Sequence, residues 1–257
     1  MKICKLIICG LLLTFTCFSQ EKKEAFKGGE WLRYKMSYSG FFRAGTAVLE
    51  LKETNLNGEK VFYSKGTGWT SGLLKWFFKV DDVYESYFDK TPVKPILFKR
   101  KINEGGYKKH RITKFDYTSN TAYIQDFKNQ KDTSVVFSKV QDMLSSFYYL
   151  RKQDAKTLKK GDELAIDMFM DSQVYPFKLR FLRKEVIKTK FGKVKCLVFR
   201  PLVQSGRIFK AEESVTLWIS DDANKVPIKM KADLAVGSLR ADLDAYKGLA
   251  NKFKTAD

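Results

Sequence analysis

Residues 46–63 read Thr-Ala-Val-Leu-Glu-Leu-Lys-Glu-Thr-Asn-Leu-Asn-Gly-Glu-Lys-Val-Phe-Tyr. Within them Ala47, Leu49 and Leu51 recur at every second position, the period of a strand that lays one face on a core and the other in solvent. Asn57-Gly58 follows, a pair that readily takes the positive φ values of a two-residue hairpin turn, and Val61-Phe62-Tyr63 then resumes the apolar run. Strand, tight turn and strand therefore lie within eighteen residues.

The same pattern extends in both directions. Trp31, Arg33 and Lys35 alternate with Leu32, Tyr34 and Met36. Gly105-Gly106 separates Ile96–Arg100 from Arg111–Phe115, and further turns fall at Thr118-Ser119-Asn120, Lys128–Lys131, Phe191-Gly192-Lys193, Asp221–Asn224 and Val236-Gly237. Consecutive strands joined by short turns form a meander, and a long meander has to curl. The expected class is mainly β: a curved antiparallel meander sheet or an open half-barrel, with one or two short helices packed on or in it.

Two segments break the strand period. Ser71–Phe78 reads as a short helix or an apolar loop, and Gln141–Lys152 reads as a helix. In the second, Asp142 stands near the start, Met143, Leu144, Phe147, Tyr148 and Leu150 form an apolar stripe, and Arg151 and Lys152 suit the carbonyl end of the helix dipole. Such a helix covers a sheet face or plugs its concavity. It joins two sheet segments, about 28–139 and 161–247, through the polar stretch Gln153–Lys160, within a single β domain expected over 20–257.

The N-terminus has the order of a secretory signal: Lys2 and Lys5, an apolar run from Leu6 to Phe15, then Cys17, Ser19 and Gln20. That run is too short to span a bilayer, so cleavage is expected near Ser19, giving a signal over 1–19 and a periplasmic or otherwise exported chain. Cys17 follows Thr14, Phe15 and Thr16, which is not the context of a lipid-accepting cysteine, so no lipid anchor is expected. Of the four cysteines only Cys196 lies beyond this segment. A mature chain of this kind has no intramolecular disulfide, and Cys196 reads as a small buried hydrophobe.

The formal charge is +19, or two less without Lys2 and Lys5. A field of this sign favours anionic partners. Nucleic acid is excluded for an exported protein, which leaves an anionic membrane surface, lipopolysaccharide phosphates or acidic polysaccharide. Lysines scattered from Lys35 to Lys254 also keep strand edges from pairing with one another.

Catalytic chemistry finds little purchase. His110, the only histidine, sits in Lys108-Lys109-His110-Arg111 with no nucleophile elbow anywhere in the chain, and reads as a solvated strand residue. One histidine and one mature cysteine cannot make a zinc set, and no cofactor motif occurs; Gly66-Thr67-Gly68 lacks the rest of a phosphate loop. Asp81-Asp82, Glu212-Glu213 and Asp221-Asp222 are adjacent carboxylates, which point to opposite faces of a strand or cap a turn. The most suggestive cluster is aromatic. Trp69, Leu73, Leu74, Trp76, Phe77 and Phe78, with Phe41-Phe42 as a second group, either form ordinary core beneath a loop or line a cavity fit for an acyl chain.

Four stretches carry a family resemblance: Gly29–Tyr34 leading to Ala44–Ala47, Val80–Tyr87, Gln141–Arg151, and Leu217–Asp222 running to Val226-Pro227 and Val236–Ser238. Together they resemble the exported family catalogued as domain of unknown function 3108. The resemblance implies a curved antiparallel sheet similar to the half-barrel of periplasmic lipoprotein carriers, and it brings no catalytic residues. The leading expectation is thus a non-enzymatic periplasmic binding or chaperone-like module for a lipid or other amphipathic envelope ligand. The alternatives are a structural or assembly protein docking on an envelope partner, and an envelope hydrolase using a carboxylate pair.

Overall fold

The computed structural model describes residues 23–40, 42–72, 74–202, 214–234 and 236–256. The signal segment, Phe41, Leu73 and Glu212-Glu213 lie outside these residues. Eight strands follow one another first: β1 (Trp31–Tyr38), β2 (Phe42–Leu56), β3 (Glu59–Thr70), β4 (Asp81–Asp89), β5 (Pro95–Glu104), β6 (Tyr107–Asp116), β7 (Thr121–Asp126) and β8 (Lys131–Val136). A single helical turn, α1 (Leu74–Phe77), lies between β3 and β4, and α2 (Met143–Arg151) follows β8. Six more strands complete the chain: β9 (Glu163–Met170), β10 (Gln173–Thr189), β11 (Gly192–Leu202), β12 (Val215–Ser220), β13 (Pro227–Asp233) and β14 (Ser238–Lys247).

All of them belong to one antiparallel sheet of 14 strands, because β14 pairs with β1 and joins the two meanders edge to edge. The sheet does not close on itself. Its free edges are β8 and β9, and the chain between them dives into the concavity as α2. The hairpin legible in residues 46–63 forms as read: Leu56 pairs with Glu59 across Asn57 (φ 53°) and Gly58 (φ 88°). The left-handed φ of both turn residues matches the right-handed strand twist.

The helix is held at both ends by buried polar groups. At its start Asp142 accepts from the backbone N–H of Leu144 (2.8 Å) and Ser145 (2.9 Å), and the Ser145 hydroxyl accepts the Asp142 N–H (2.9 Å). This capping box satisfies donors that the first turn leaves open. The Ser86 hydroxyl of β4 donates to the same carboxylate at 2.5 Å, which fastens the cap to the wall of the sheet. Gln141, one residue earlier, bridges the open seam. Its N–H donates to Asp167 O and its carbonyl accepts from Phe169 N–H, both at 2.8 Å, while its side-chain amide reaches Val93 O at 2.9 Å.

At the other end the Arg151 side chain is buried and pairs with buried Glu30 through Nη1–Oε1 (2.5 Å) and Nη2–Oε2 (2.8 Å). Its remaining donors reach Asn224 O (Nε, 3.0 Å) and Ala25 O (Nη2, 2.9 Å). Phe26, Phe147 and Tyr148 hold their rings within 5.2–5.6 Å of the guanidinium carbon. The expected pairing of Arg151 with helix carbonyls is thus replaced by a stronger one, since a buried charge needs an opposite charge and full hydrogen bonding.

Between these ends the helix fills the sheet. Tyr148 is fully buried, stacks on Phe88 at 5.3 Å and meets the edge of Phe26 at 4.9 Å. Gly66 of β3 lies beneath the helix: a Cβ there would stand 3.2 Å from Leu144 Cδ2, so this glycine marks a close approach of helix to strand, whereas Gly68 faces open space. The stretch read as a polar joint also packs. Ala155 and Leu158 cover the outer face of β10 and β11 with Leu179, Phe181, Leu197 and Phe199, which explains why Cys196–Phe199 are buried in unbroken succession.

Arg151→Met leaves Glu30 buried without a partner and is expected to cost about 3–5 kcal/mol in urea unfolding, with Glu30→Gln added to it recovering most of the loss. No recovery in the double variant would show that the pair is not the source. For Asp142, burial pushes the carboxyl from 3.8 to about 6 against the opposing hydrogen bonds of Ser86, Ser145 and Leu144. The folded state therefore binds the proton more readily, and this residue's contribution to stability falls as pH rises from 3.8 through about 6. Asp142→Asn keeps an oxygen for the cap and is expected to flatten that slope, whereas Asp142→Ala loses the cap at about 1–2 kcal/mol at every pH. Unfolding free energies measured across this range check both, and an unchanged slope in the Asn variant contradicts the assignment.

Candidate ligand-docking rim

An antiparallel meander sends every second connection to the same end of the sheet. At one end lie the connections β1–β2, β3–β4, β5–β6, β7–β8, β9–β10, β11–β12 and β13–β14. Nine of the twelve exposed large hydrophobic residues among the described ones sit at this end. Each of its connections apart from β11–β12, most of which lies outside the described residues, carries or adjoins at least one: Phe42, then Trp69 with Trp76, Phe77 and Phe78, then Tyr107, Phe127, Val174 and Val236. At the opposite end only Val136 is of this kind. Monomeric proteins rarely gather apolar groups in this way without using them.

The β3–β4 connection is the most prominent part of the rim. Thr70 N–H donates to Val80 O (3.2 Å) and Thr70 Oγ1 accepts the Val80 N–H (2.9 Å), which closes its base. Gly105 N–H donates to Lys79 O at 2.8 Å and ties it to the β5–β6 turn. The Phe78 ring rests on Gly105, where a Cβ would come within 2.4 Å of it, and φ of 54° further favours glycine. With the base so fixed, Trp76 and Phe77 stand 87% and 85% exposed.

The sequence-expected site residues therefore divide. Trp69, 42% exposed, closes β3; Trp76 and Phe77 stand out in solvent; Phe78 packs on the neighbouring turn; Leu74 opens α1. They do not line an internal cavity, because α2 and its aromatic neighbours occupy the concavity. A partly open pocket at the mouth, lined by Phe98, Arg100, Arg111, Ile124, Phe169 and Asp171, holds only about 10 Å³, less than an acyl chain needs.

Beside the aromatic loop, on the outer face, lies an open groove of about 530 Å³. Pairing of Val83 with Lys101, Lys101 with His110 and Asn103 with Lys108 puts these side chains on one face, while Asp82, Arg100 and Ile102 turn to the interior. Phe127 forms one wall, its ring stacked on His110 at 4.7 Å and 25°, and Lys128 reaches over Tyr107 with 5.3 Å from amine to ring centroid. Asp81 opposes Lys101, Lys108 and Lys128 in the groove wall. The result is a cationic slot with an aromatic wall, next to exposed aromatic groups. The aromatic loop is legible in the sequence, whereas Tyr107, Phe127 and Val236 are isolated along the chain and come to the same end only through strand order.

Two carboxylates from different strands come within hydrogen-bond contact. Asp82 and Glu104 face each other inside the rim, with Asn103 N–H on Asp82 at 2.9 Å, and burial followed by the contact with Asp82 raises the Glu104 carboxyl above its usual range. Hydrogen-bond contact leaves no room for the water or sugar that carboxylate-pair hydrolysis places between the groups. Asp222 caps the turn after β12, accepting from Asn224 N–H (3.0 Å) and Lys225 N–H (3.1 Å). Cys196 is free and buried, and burial pushes its thiol up to about 12. Among the described residues no three His, Cys, Asp or Glu side chains are grouped to hold a metal ion, and no helix is long and apolar enough to cross a membrane.

Comparison with known proteins adds three findings. A family model described as protein of unknown function (DUF3108) matches residues 33–244. A crystal structure of a β-barrel-like protein of domain of unknown function DUF1849 from Brucella abortus superposes with a TM-score of 0.58 at 12% identity, over 86% of this chain and 98% of that one. A second crystal structure, of a protein from Parabacteroides distasonis, covers 89% of this chain and 100% of its own at 10% identity and a TM-score of 0.33. No curated protein matches the sequence. The first of the two structures supports a barrel-like β fold; the second is too distant to bear on it.

Proposed function

The chain belongs to the DUF3108 family, and from that premise we propose that it is an exported, non-enzymatic binding module for an anionic amphipathic envelope ligand, held on the outside of the barrel. The observation that carries this is the adjacency of the cationic groove to the aromatic loop on one rim. An anionic head group fits among Lys101, Lys108 and Lys128, and an apolar chain fits along Phe127, Tyr107 and Phe78. Because the groove is open, ligand enters without unfolding the core. The signal-like first nineteen residues support delivery to the envelope, where such ligands are found.

This differs from the carrier expected from sequence in one respect, the location of the ligand. A concave interior filled by Tyr148, Phe88 and Phe26 offers an acyl chain no space, whereas the outer groove does.

The test is titration of the purified chain with a fluorescent anionic lysophospholipid below its micelle concentration. Saturable binding is expected, weakened about thirtyfold or more in Lys101→Glu/Lys128→Glu, since each of the two cations near an anionic head group contributes about 1 kcal/mol. Equal affinity in that variant, or no saturable binding by the native chain, contradicts the proposal.

A further inference from the structure

We infer that the protein docks end-on to an anionic bilayer, with the β3–β4 connection as the inserted tip. This rests on the same rim as the proposed function and shares Lys108 and Lys128 with it, but its tip, Trp76 and Phe77 between Lys75 and Lys79, is separate from the groove lining, and it concerns a membrane surface in place of a single amphiphile.

The first ground is polarity along the barrel axis. Phe42, Trp76, Phe77 and Val236 project from three separate connections at one end, all more than two-thirds exposed, while the turns at the other end are built from Asn57-Gly58, Lys90–Lys94 and Ser119-Asn120. A ligand groove needs one wall, not a ring of apolar side chains spread over six connections. A flat bilayer meets all of them at once when the strands stand upright on it. Tryptophan and phenylalanine are the residues that settle at the boundary between head groups and acyl chains.

Charge is the second. Arg43, Lys75, Lys79, Lys108 and Lys128 are exposed among the same connections, with Asp81, Asp132, Asp171 and Asp233 as the exposed acids among the described residues there. Lys75 and Lys79 flank Trp76 and Phe77 directly, so insertion of the rings brings two ammonium groups to phosphate depth, where long lysine stems allow it.

A bilayer-spanning barrel is a poor alternative. Its outward face must be apolar for the height of the hydrocarbon. Here the outer faces of β5–β7 set Lys99, Lys101, His110, Lys114 and Gln125 among Leu97, Ile112 and Tyr123, so no apolar band runs the height of the hydrocarbon. Contact by the rim alone fits both facts.

The experiment is cosedimentation of the chain with vesicles of phosphatidylglycerol and phosphatidylethanolamine, beside vesicles of phosphatidylcholine. Binding to the anionic vesicles is expected, falling with added salt, and at least tenfold weaker in Trp76→Ser/Phe77→Ser. Both replaced side chains are exposed, so circular dichroism and melting temperature should match the native chain. Val136→Ser, at the other end, should bind as native. The tip variant should still take up the fluorescent lysophospholipid, whereas Lys101→Glu/Lys128→Glu should lose it, so failure of docking and failure of the groove are read separately. Absence of cosedimentation with anionic vesicles, or undiminished binding by the tip variant, overturns the inference. Sedimentation velocity giving a dimer that Trp76→Ser/Phe77→Ser dissociates also overturns it, by assigning the tip to a second copy of the chain.

Discussion

A guanidinium removed from water has to be neutralised and fully hydrogen-bonded, and Arg151 meets that demand only when four separate pieces of chain are in place. The end of α2 supplies the cation, the residue before β1 supplies Glu30, the N-terminal segment supplies Ala25 O, and the β12–β13 turn supplies Asn224 O. Glu30 and Ala25 belong to the first meander and Asn224 to the second, on either side of the β1–β14 junction, while α2 lies inside the concavity. The ion pair therefore does more than hold a helix. It penalises any arrangement in which the second meander fails to return beside β1 or in which α2 lies outside the sheet.

Placement of α2 decides where function can reside. An open sheet of fourteen strands curls and, left empty, would enclose a ligand-sized hollow. The capping box at Asp142, the bridge made by Gln141 and the anchor at Arg151 fill that hollow with a helix whose Tyr148 touches three walls. At the mouth, Arg100, Lys109 and Arg111 converge on Asp171 of the β9–β10 turn and draw the two halves together. The exposed apolar and cationic groups at one end therefore lie outside the filled concavity.

That end is distinguished by strand parity. Each hairpin returns the chain to the level it left, so residues far apart in sequence, such as Phe42, Phe127 and Val236, arrive at one level. No single connection is apolar enough to attract notice apart from Trp76 and Phe77. Their sum is a surface.

Much of this was legible in the amino-acid order. Alternation at Ala47, Leu49 and Leu51, the Asn57-Gly58 turn and the stripe from Met143 to Leu150 are local signals, since a strand period, a positive φ and a helix face each depend on neighbours a few residues away. They determined a curled antiparallel meander with a helix over about Gln141–Lys152, and Asp142 near its start. What the sequence left open were outcomes of long-range contact: whether the helix plugs the concavity, whether Trp76 faces in or out, and which turns share a rim. Arg151 and Glu30 are separated by 121 residues, and nothing in the local pattern of either marks it as buried. Only the folded chain decides such questions, because burial is set by what packs against a residue and not by what precedes it in sequence.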